Sequence, residues 1–298
     1  MIINDCLNRF IEDERLPVSF IHEAKKWYLP LLARLCDLHN SHQEGARLPL
    51  FVGINGAQGS GKSTLSALLV TLFRQVHKMN AVSMSLDDFY LTKSQRTHLA
   101  KTIHPLLQTR GVPGTHDLAL MQQTLHALLQ AQPCAIPKFD KASDDRANEA
   151  TWDKITHSVD IIILEGWCVG AAPQSPEQLA VDANALESTH DSAHIWRNYV
   201  NNALKEDYQG VFEKLNYLIM LKAPSFEQIY QWRLEQERKM QQRNIDNGNS
   251  AGGMSPADIA NFIQHYQRIT EFGLYELPKR CNEVFELNTQ RSIVSCRY

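Results

Sequence analysis

The sequence predicts an α/β fold: a central, mainly parallel five-stranded sheet flanked by helices, with a helical appendage ahead of it and an arginine-bearing segment near residues 225–254. Three observations carry that prediction. Five short apolar runs alternate with longer amphipathic stretches. A glycine-rich loop joins the first run to the first of those stretches, and two of the runs lead directly into carboxylates. Composition narrows the field further. The 298 residues hold 30 Lys+Arg against 33 Asp+Glu, a net charge of −3, which argues against a nucleic-acid binder working through bulk positive charge. Hydrophobic content of 43% with 21% charged residues belongs to a globular chain rather than a disordered one. No apolar run approaches the ~18–20 residues that cross a bilayer. Asp5, Glu12, Asp13 and Glu14 stand where a secretory signal needs a basic flank and an apolar core. The cysteines (Cys6, Cys36, Cys134, Cys168, Cys281 and Cys296) form no CxxC pair, so reduced thiols and a cytoplasmic location are expected, with no nucleic-acid or membrane partner.

Residues 1–48 read as the helical appendage, with Ile21, Ala24, Tyr28, Leu31, Leu35 and Leu38 at three- and four-residue spacing and Pro30 expected to kink or split the helix. Residues 49–298 form the main domain. Its strands are predicted at 50–55, 81–86, 159–165, 215–221 and 283–287. Helical faces between them run through Leu65, Leu68, Leu69 and Leu72, and through Leu118, Met121, Leu125 and Leu128. A third opens on Ser255-Pro256-Ala257-Asp258, a capping box with proline at the first helical position, and continues through Ile259, Phe262, Ile263, Tyr266 and Ile269. Two stretches of small and polar residues, 171–192 and 244–253, read as mobile loops.

The sharpest motif is Gly56-Ala57-Gln58-Gly59-Ser60-Gly61-Lys62-Ser63, which matches G-x-x-x-x-G-K-[ST], follows an apolar strand and leads into a helix from Thr64. Glycines reach backbone conformations closed to other residues, so several N–H groups converge on phosphate oxygens, and the helix adds its positive end. Lys62 is placed to reach the β- and γ-phosphates and Ser63 to ligate Mg²⁺, which makes ATP and Mg²⁺ the expected cofactors. No Asn-Lys-x-Asp guanine reader and no LSGGQ-like signature follows, which removes GTPases and transport ATPases.

After the second strand stands Asp87-Asp88-Phe89-Tyr90. Residues just past the carboxyl ends of neighbouring parallel strands meet in one crevice, so Asp87 is the candidate base for an acceptor hydroxyl, ahead of Asp88. The third strand ends in Glu165, a candidate metal or catalytic-water contact, while Asp160 at its other end reads as structural.

The order GAQGSGKST, SLDDFYLT, IPKFDKASDDR, IIILEGW and then an arginine-bearing helix resembles the uridine kinase, phosphoribulokinase and pantothenate kinase superfamily. Within it, RGVPGTHDL, IPKFDKASDDR, LEGWCVG, WRLEQERKM and GMSPADIANFIQHY most resemble the D-glycerate 3-kinases, from about residue 50 to about residue 290. The resemblance implies a P-loop NTPase fold, Lys62 and Ser63 on phosphates and metal, Asp87 as base and Glu165 as the metal's acidic partner. It also puts Arg233 and Arg238 in a segment like the mobile lid that closes over ATP. On the residues alone these two arginines pair equally well with Glu235 or Glu237 along one helix. Phe139 stands where uridine kinases tend to carry Tyr, which weakens a nucleoside acceptor.

An acidic acceptor needs a cationic anchor and hydroxyl partners. Arg146 and Lys138 are the candidate anchors, Tyr90 and His116 further acceptor contacts, and Arg110 and Asp117 lie in the second of the two segments concerned. Trp167 reads as core. The expected activity is transfer of the γ-phosphoryl group of ATP to a hydroxyl of a small anionic metabolite, with D-glycerate the first choice. Pantothenate, a nucleoside or another sugar acid are the same-fold alternatives. A nucleotide-dependent regulatory ATPase, holding a protein partner through 171–192, is the alternative of a different class.

Overall fold

A computed structural model of the chain describes residues 2–42, 48–246 and 252–298. Five parallel strands and one antiparallel edge strand form the central sheet. They are β1 (Leu50–Gly56), β2 (Ala81–Ser85), β3 (Ile161–Gly166), β4 (Tyr217–Lys222), β5 (Glu283–Leu287) and β6 (Ile293–Arg297), in the order β6-β5-β4-β1-β3-β2. Near-continuous apolar runs such as Ile161–Leu164 suit strands covered on both faces, and every residue of β1 and β3 is buried. All five predicted strands form. The sheet count is corrected from five to six, because β6 is a half-exposed edge strand whose five residues, Ile-Val-Ser-Cys-Arg, are too short an apolar run to signal a buried strand. Two small antiparallel ribbons also lie outside the expected set: Cys134–Ile136 with Asp153–Ile155, and Phe139–Asp140 with Asp145–Arg146.

On one face, the helix Lys62–Gln75 buries Leu65, Leu68, Leu69 and Leu72 as its spacing predicts, and the N-terminal helices pack into the same core through Leu7, Phe10, Tyr28, Leu31 and Leu35. Arg34 reaches from those helices to the buried Glu283 of β5. Pro30 does not split its helix. The chain runs from Phe20–Glu23 through a wide π turn, Ala24–Tyr28, into Leu29–His42, and the widened turn absorbs the proline. On the other face, Leu118–Leu129 and Pro256–Glu276 bury Met121, Leu125, Leu128 and Tyr266 against β2, β3 and β4. The predicted capping box at Ser255 and Asp258 is present.

The stretch 171–192 is not the mobile loop that its composition predicts. It holds two short helices, Pro176–Leu179 and Ala185–His190, pinned by buried charges. Glu187, fully buried, accepts from Arg268 Nε at 2.6 Å, and Arg197 Nε donates to Asp191 at 2.9 Å. Arg268 also donates to the Gln178 carbonyl at 3.1 Å. Arg268 comes from a helix 81 positions after Glu187, so no local window of the sequence reveals that anchor, while Arg197, six positions after Asp191, carries no pattern that marks it as buried. Of the other expected loop, Asn244–Asp246 end the helix Phe226–Asp246, Gly252 and Gly253 take positive φ, and 247–251 lie outside the described residues.

Removing one member of a buried ion pair strands its partner in low dielectric. Glu187→Ala is therefore expected to cost about 3–5 kcal/mol, lowering Tm on the order of 10 °C. Thermal unfolding of the two proteins checks this, and an unchanged Tm contradicts the anchoring role.

Candidate active site

Parallel register assembles the site. Ile54 of β1 and Ser85 of β2 both lie opposite Glu165 of β3, so each flanking strand places its next residues over the same edge of the sheet. Beyond β1 comes the loop 56–61, and beyond β2 a 3₁₀ turn, Leu86–Phe89, that presents Asp87.

The loop has the form its glycines demand. Gly59 and Gly61 take φ of 78° and 93°, which strain any residue with a Cβ, and a Cβ on Gly56 sits 2.4 Å from Ser60 Oγ. Lys62 and Ser63 open the following helix, with Thr64 next. The Ser63 hydroxyl donates to Glu165 Oε1 at 3.0 Å, and Lys62 Nζ stands 3.9 Å from Glu165 Oε2. That Oε2 is buried with no hydrogen-bond partner. A buried carboxylate oxygen, a neighbouring hydroxyl and an ammonium make a hard-oxygen corner that fits Mg²⁺ with phosphates.

Asp87 accepts at both oxygens, from Tyr90 OH at 2.7 Å and from Lys141 Nζ at 2.8 Å. Burial pushes its carboxyl up, but the Lys141 and Lys62 cations outweigh that and hold it down at about 2. Asp88 goes the other way, raised by burial to about 6, and its Oδ1 accepts the Phe139 N–H at 3.1 Å. Consecutive acids thus divide their work: Asp87 faces the lysines, while Asp88 ties down the ribbon that begins at Phe139. Asp160 accepts the Asn80 N–H at 2.7 Å, a structural contact as expected.

Tyr90 is buried between His116 and Phe139, with ring centroids 4.8 and 5.1 Å away. His116 Nδ1 lies 2.6 Å from Tyr208 OH, and that phenol oxygen accepts the Gly114 N–H at 3.0 Å. We assign the phenol proton to Nδ1, because the phenol oxygen already accepts from Gly114, and that assignment puts the proton of the neutral imidazole on Nε2. Burial lowers the His116 pKa to about 4, so the ring stays neutral. Its Nε2 is buried without a partner. Arg146 repeats the pattern. Its Nη2 donates to Asp117 at 2.8 Å and to the Tyr90 carbonyl at 3.3 Å, while its buried Nε has no partner. Two N–H donors beside Tyr90 are therefore free.

Other candidates are held elsewhere. Lys138 is 44% exposed and pairs with Asp153 at 2.8 Å across the first ribbon. Arg110 pairs with Asp144 and lies 5.4 Å over the Phe139 ring. Trp167 is core, as expected, and its Nε1 donates to the Gly111 carbonyl at 2.9 Å. Arg233 pairs with Glu237 at 2.7 Å, the intrahelical alternative, and Arg238 is exposed.

Two residues escape the sequence reading. Lys141 lies within the quoted IPKFDKASDDR segment but has no motif spacing to mark it. Arg291, in the turn between β5 and β6, donates from Nε to the Gly59 carbonyl at 2.9 Å, pairs with Glu235 at 2.7 Å and stacks 5.3 Å over Trp232. It joins the phosphate loop to the lid helix across 232 positions of sequence, which no local pattern discloses.

Fold and site together define a P-loop kinase for a small molecule. The model of the phosphoribulokinase / uridine kinase family matches residues 51–171. The "Uncharacterized kinase mug58" of Schizosaccharomyces pombe is 36% identical over 228 residues, 73% of this chain and 78% of that protein. The chain belongs to the phosphoribulokinase / uridine kinase family. It is also similar to "D-glycerate 3-kinase, chloroplastic" of Arabidopsis thaliana, 29% identical over 283 residues, which are 89% of this chain and 58% of that longer protein. Among solved structures, a D-glycerate 3-kinase from Cryptococcus neoformans superposes with a TM-score of 0.73 at 26% identity, covering 94% of this chain and 99% of the other. Among the described residues, no helix is long and apolar enough to cross a membrane.

Arg291→Ala frees the Gly59 carbonyl and leaves Glu235 paired with Lys239 alone. Loss of a charge-assisted bond to a preorganised loop is expected to weaken ADP binding roughly tenfold, read by calorimetry. Unchanged affinity means that the clasp does not shape the phosphate loop.

Proposed function

We propose that the protein transfers the γ-phosphoryl group of ATP to a hydroxyl of a small anionic acceptor, and that the acceptor is D-glycerate, giving 3-phosphoglycerate. The observation that carries this reading is the pair of unpartnered buried donors, Arg146 Nε and His116 Nε2, beside the Tyr90–Asp87 pair. Buried donors without partners are costly unless a ligand satisfies them, and two N–H groups suit the oxygens of a hydroxy acid. Phe139 fills the space next to Tyr90 with an apolar ring, in keeping with a small acceptor. The similarity to proteins named D-glycerate 3-kinase supports the same choice.

Each residue then has a defined task. The N–H groups of 56–64 cradle the phosphates, and Lys62 neutralises the transferring group. Ser63 and Glu165 would hold Mg²⁺, which would supply positive charge to offset that of the phosphate oxygens. Asp87 accepts and orients the hydroxyl proton of the acceptor, steadied by the Tyr90 phenol. Arg233 and Arg238 ride on the lid helix and turn toward ATP on closure. Positioning and charge neutralisation supply most of the rate, as phosphoryl transfer requires little covalent help.

ADP release measured against D-glycerate, other sugar acids, nucleosides and pantothenate tests the reading. Strong stimulation by D-glycerate is expected, and stimulation by a nucleoside or pantothenate alone overturns it. Arg146→Ala is expected to raise the KM for D-glycerate by about ten- to a hundredfold with the KM for ATP nearly unchanged. Equal damage to both constants places Arg146 outside the acceptor pocket.

A further inference from the structure

The turn 141–144 of the second ribbon is fixed at both ends. Asp140 accepts the Ala142 N–H at 2.9 Å and the Ser143 hydroxyl at 2.7 Å. The buried Arg96 donates to the Asp144 carbonyl at 2.6 Å and lies 3.0 Å from the Asp144 carboxylate, which Arg110 also meets. Asp144 itself takes a φ of 56°, a left-handed conformation that this network holds. On this anchored tip the Lys141 side chain remains 61% exposed.

The cations around this ribbon differ in one respect. Arg110 and Arg96 share Asp144, Arg146 has Asp117, and Lys138 has Asp153. Lys141 instead pairs with Asp87, the residue assigned as base. Each Asp87 oxygen already holds one donor, the Tyr90 phenol on Oδ1 and this ammonium on Oδ2, so an acceptor hydroxyl that takes Oδ2 crowds the ammonium and weakens its pairing. A neutral acceptor leaves the crowded ammonium with no other partner. An acid brings its own replacement partner.

Resting on the reading of an anionic acceptor, we propose that Lys141 is the specificity residue that binds the acceptor's carboxylate, exchanging Asp87 for it when the substrate enters. Distance supports the exchange. With Lys141 Nζ 2.8 Å from Asp87 Oδ2 and a hydroxyl about 2.7 Å from that same oxygen, hydroxyl and ammonium lie at most about 5.5 Å apart as the exchange begins. In a 3-hydroxy acid the hydroxyl and carboxylate are separated by two carbons, so one molecule spans both groups. The same exchange releases the base from its nearest cation, which tends to restore its affinity for the hydroxyl proton. The anchored turn keeps the lysine's backbone in place while its flexible stem moves.

The test compares kcat/KM for D-glycerate with that for D-glyceramide, its neutral amide, in the wild type, Lys141→Met and Lys141→Arg. The wild type is expected to prefer the acid. Lys141→Met is expected to lose about ten- to a hundredfold of that preference, the range of a charge-assisted hydrogen bond, with the KM for ATP unchanged. Lys141→Arg is expected to recover part of it. A wild type that prefers the acid while Lys141→Met keeps the full preference overturns the Lys141 assignment and leaves the glycerate reading intact. A wild type without preference for the acid overturns the anionic-acceptor reading, and the assignment with it. An increase in the KM for ATP in Lys141→Met, equal to that for glycerate, also overturns the assignment, because it moves the lysine to the nucleotide side.

Discussion

The parallel register of β2, β3 and β1 is the constraint on which the site depends. With Glu165 opposite both Ile54 and Ser85, three carboxyl-terminal strand ends finish at one level. The phosphate loop leaves the first, Asp87 leaves the second, and Glu165 ends the third. A slip of one residue in a buried parallel strand turns its side chains to the opposite face. Glu165 would then leave Ser63 and Lys62 and turn its carboxylate into the apolar layer on the other face of the sheet. The apolar cover on both faces makes such a slip expensive, so the packing that stabilises the sheet also holds the catalytic geometry.

Around that edge the charged groups named above are paired, yet several buried polar atoms have no hydrogen-bond partner. Glu165 Oε2, Arg146 Nε and His116 Nε2 are buried and unsatisfied. The first lies beside Lys62 and Ser63 of the glycine-rich loop and the other two beside Tyr90, so these unmet polar groups fall into two clusters, which the proposed function assigns to metal with phosphates and to the acceptor. Arg291 clasps the Gly59 carbonyl and Glu235 of the lid helix, which connects the loop mechanically to the segment bearing Arg233 and Arg238. In this structure Arg233 is paired with Glu237 along its helix, so the ATP contact proposed for it requires that intrahelical pair to open.

Much of this was legible in the sequence, and the limits have physical causes. Strands such as 159–165 and the loop 56–63 are encoded locally, by apolar runs and by glycine placement. Asp87 and Glu165 follow from strand ends in a parallel sheet. The edge strand Ile293–Arg297 was not legible because one side of it faces solvent and needs no apolar pattern. The order of 171–192 was hidden because its anchors, Arg197 and Arg268, lie on later helices and satisfy carboxylates that look like surface charge. Lys138 and Lys141 illustrate the same limit at short range. They are three residues apart in one segment, and only the fold of the second ribbon decides which ammonium meets Asp87 and which meets Asp153.

The central claim is that Asp87, and not its neighbour, addresses the acceptor hydroxyl. Asp87→Asn preserves shape and removes only the charge, and Asp88→Asn is its matched control. Steady-state kinetics with saturating acceptor should show kcat for Asp87→Asn reduced by about 10²–10⁴ with the KM for ATP nearly unchanged, while Asp88→Asn loses far less. Near-normal turnover in Asp87→Asn, or an inactive Asp88→Asn beside an active Asp87→Asn, contradicts the account.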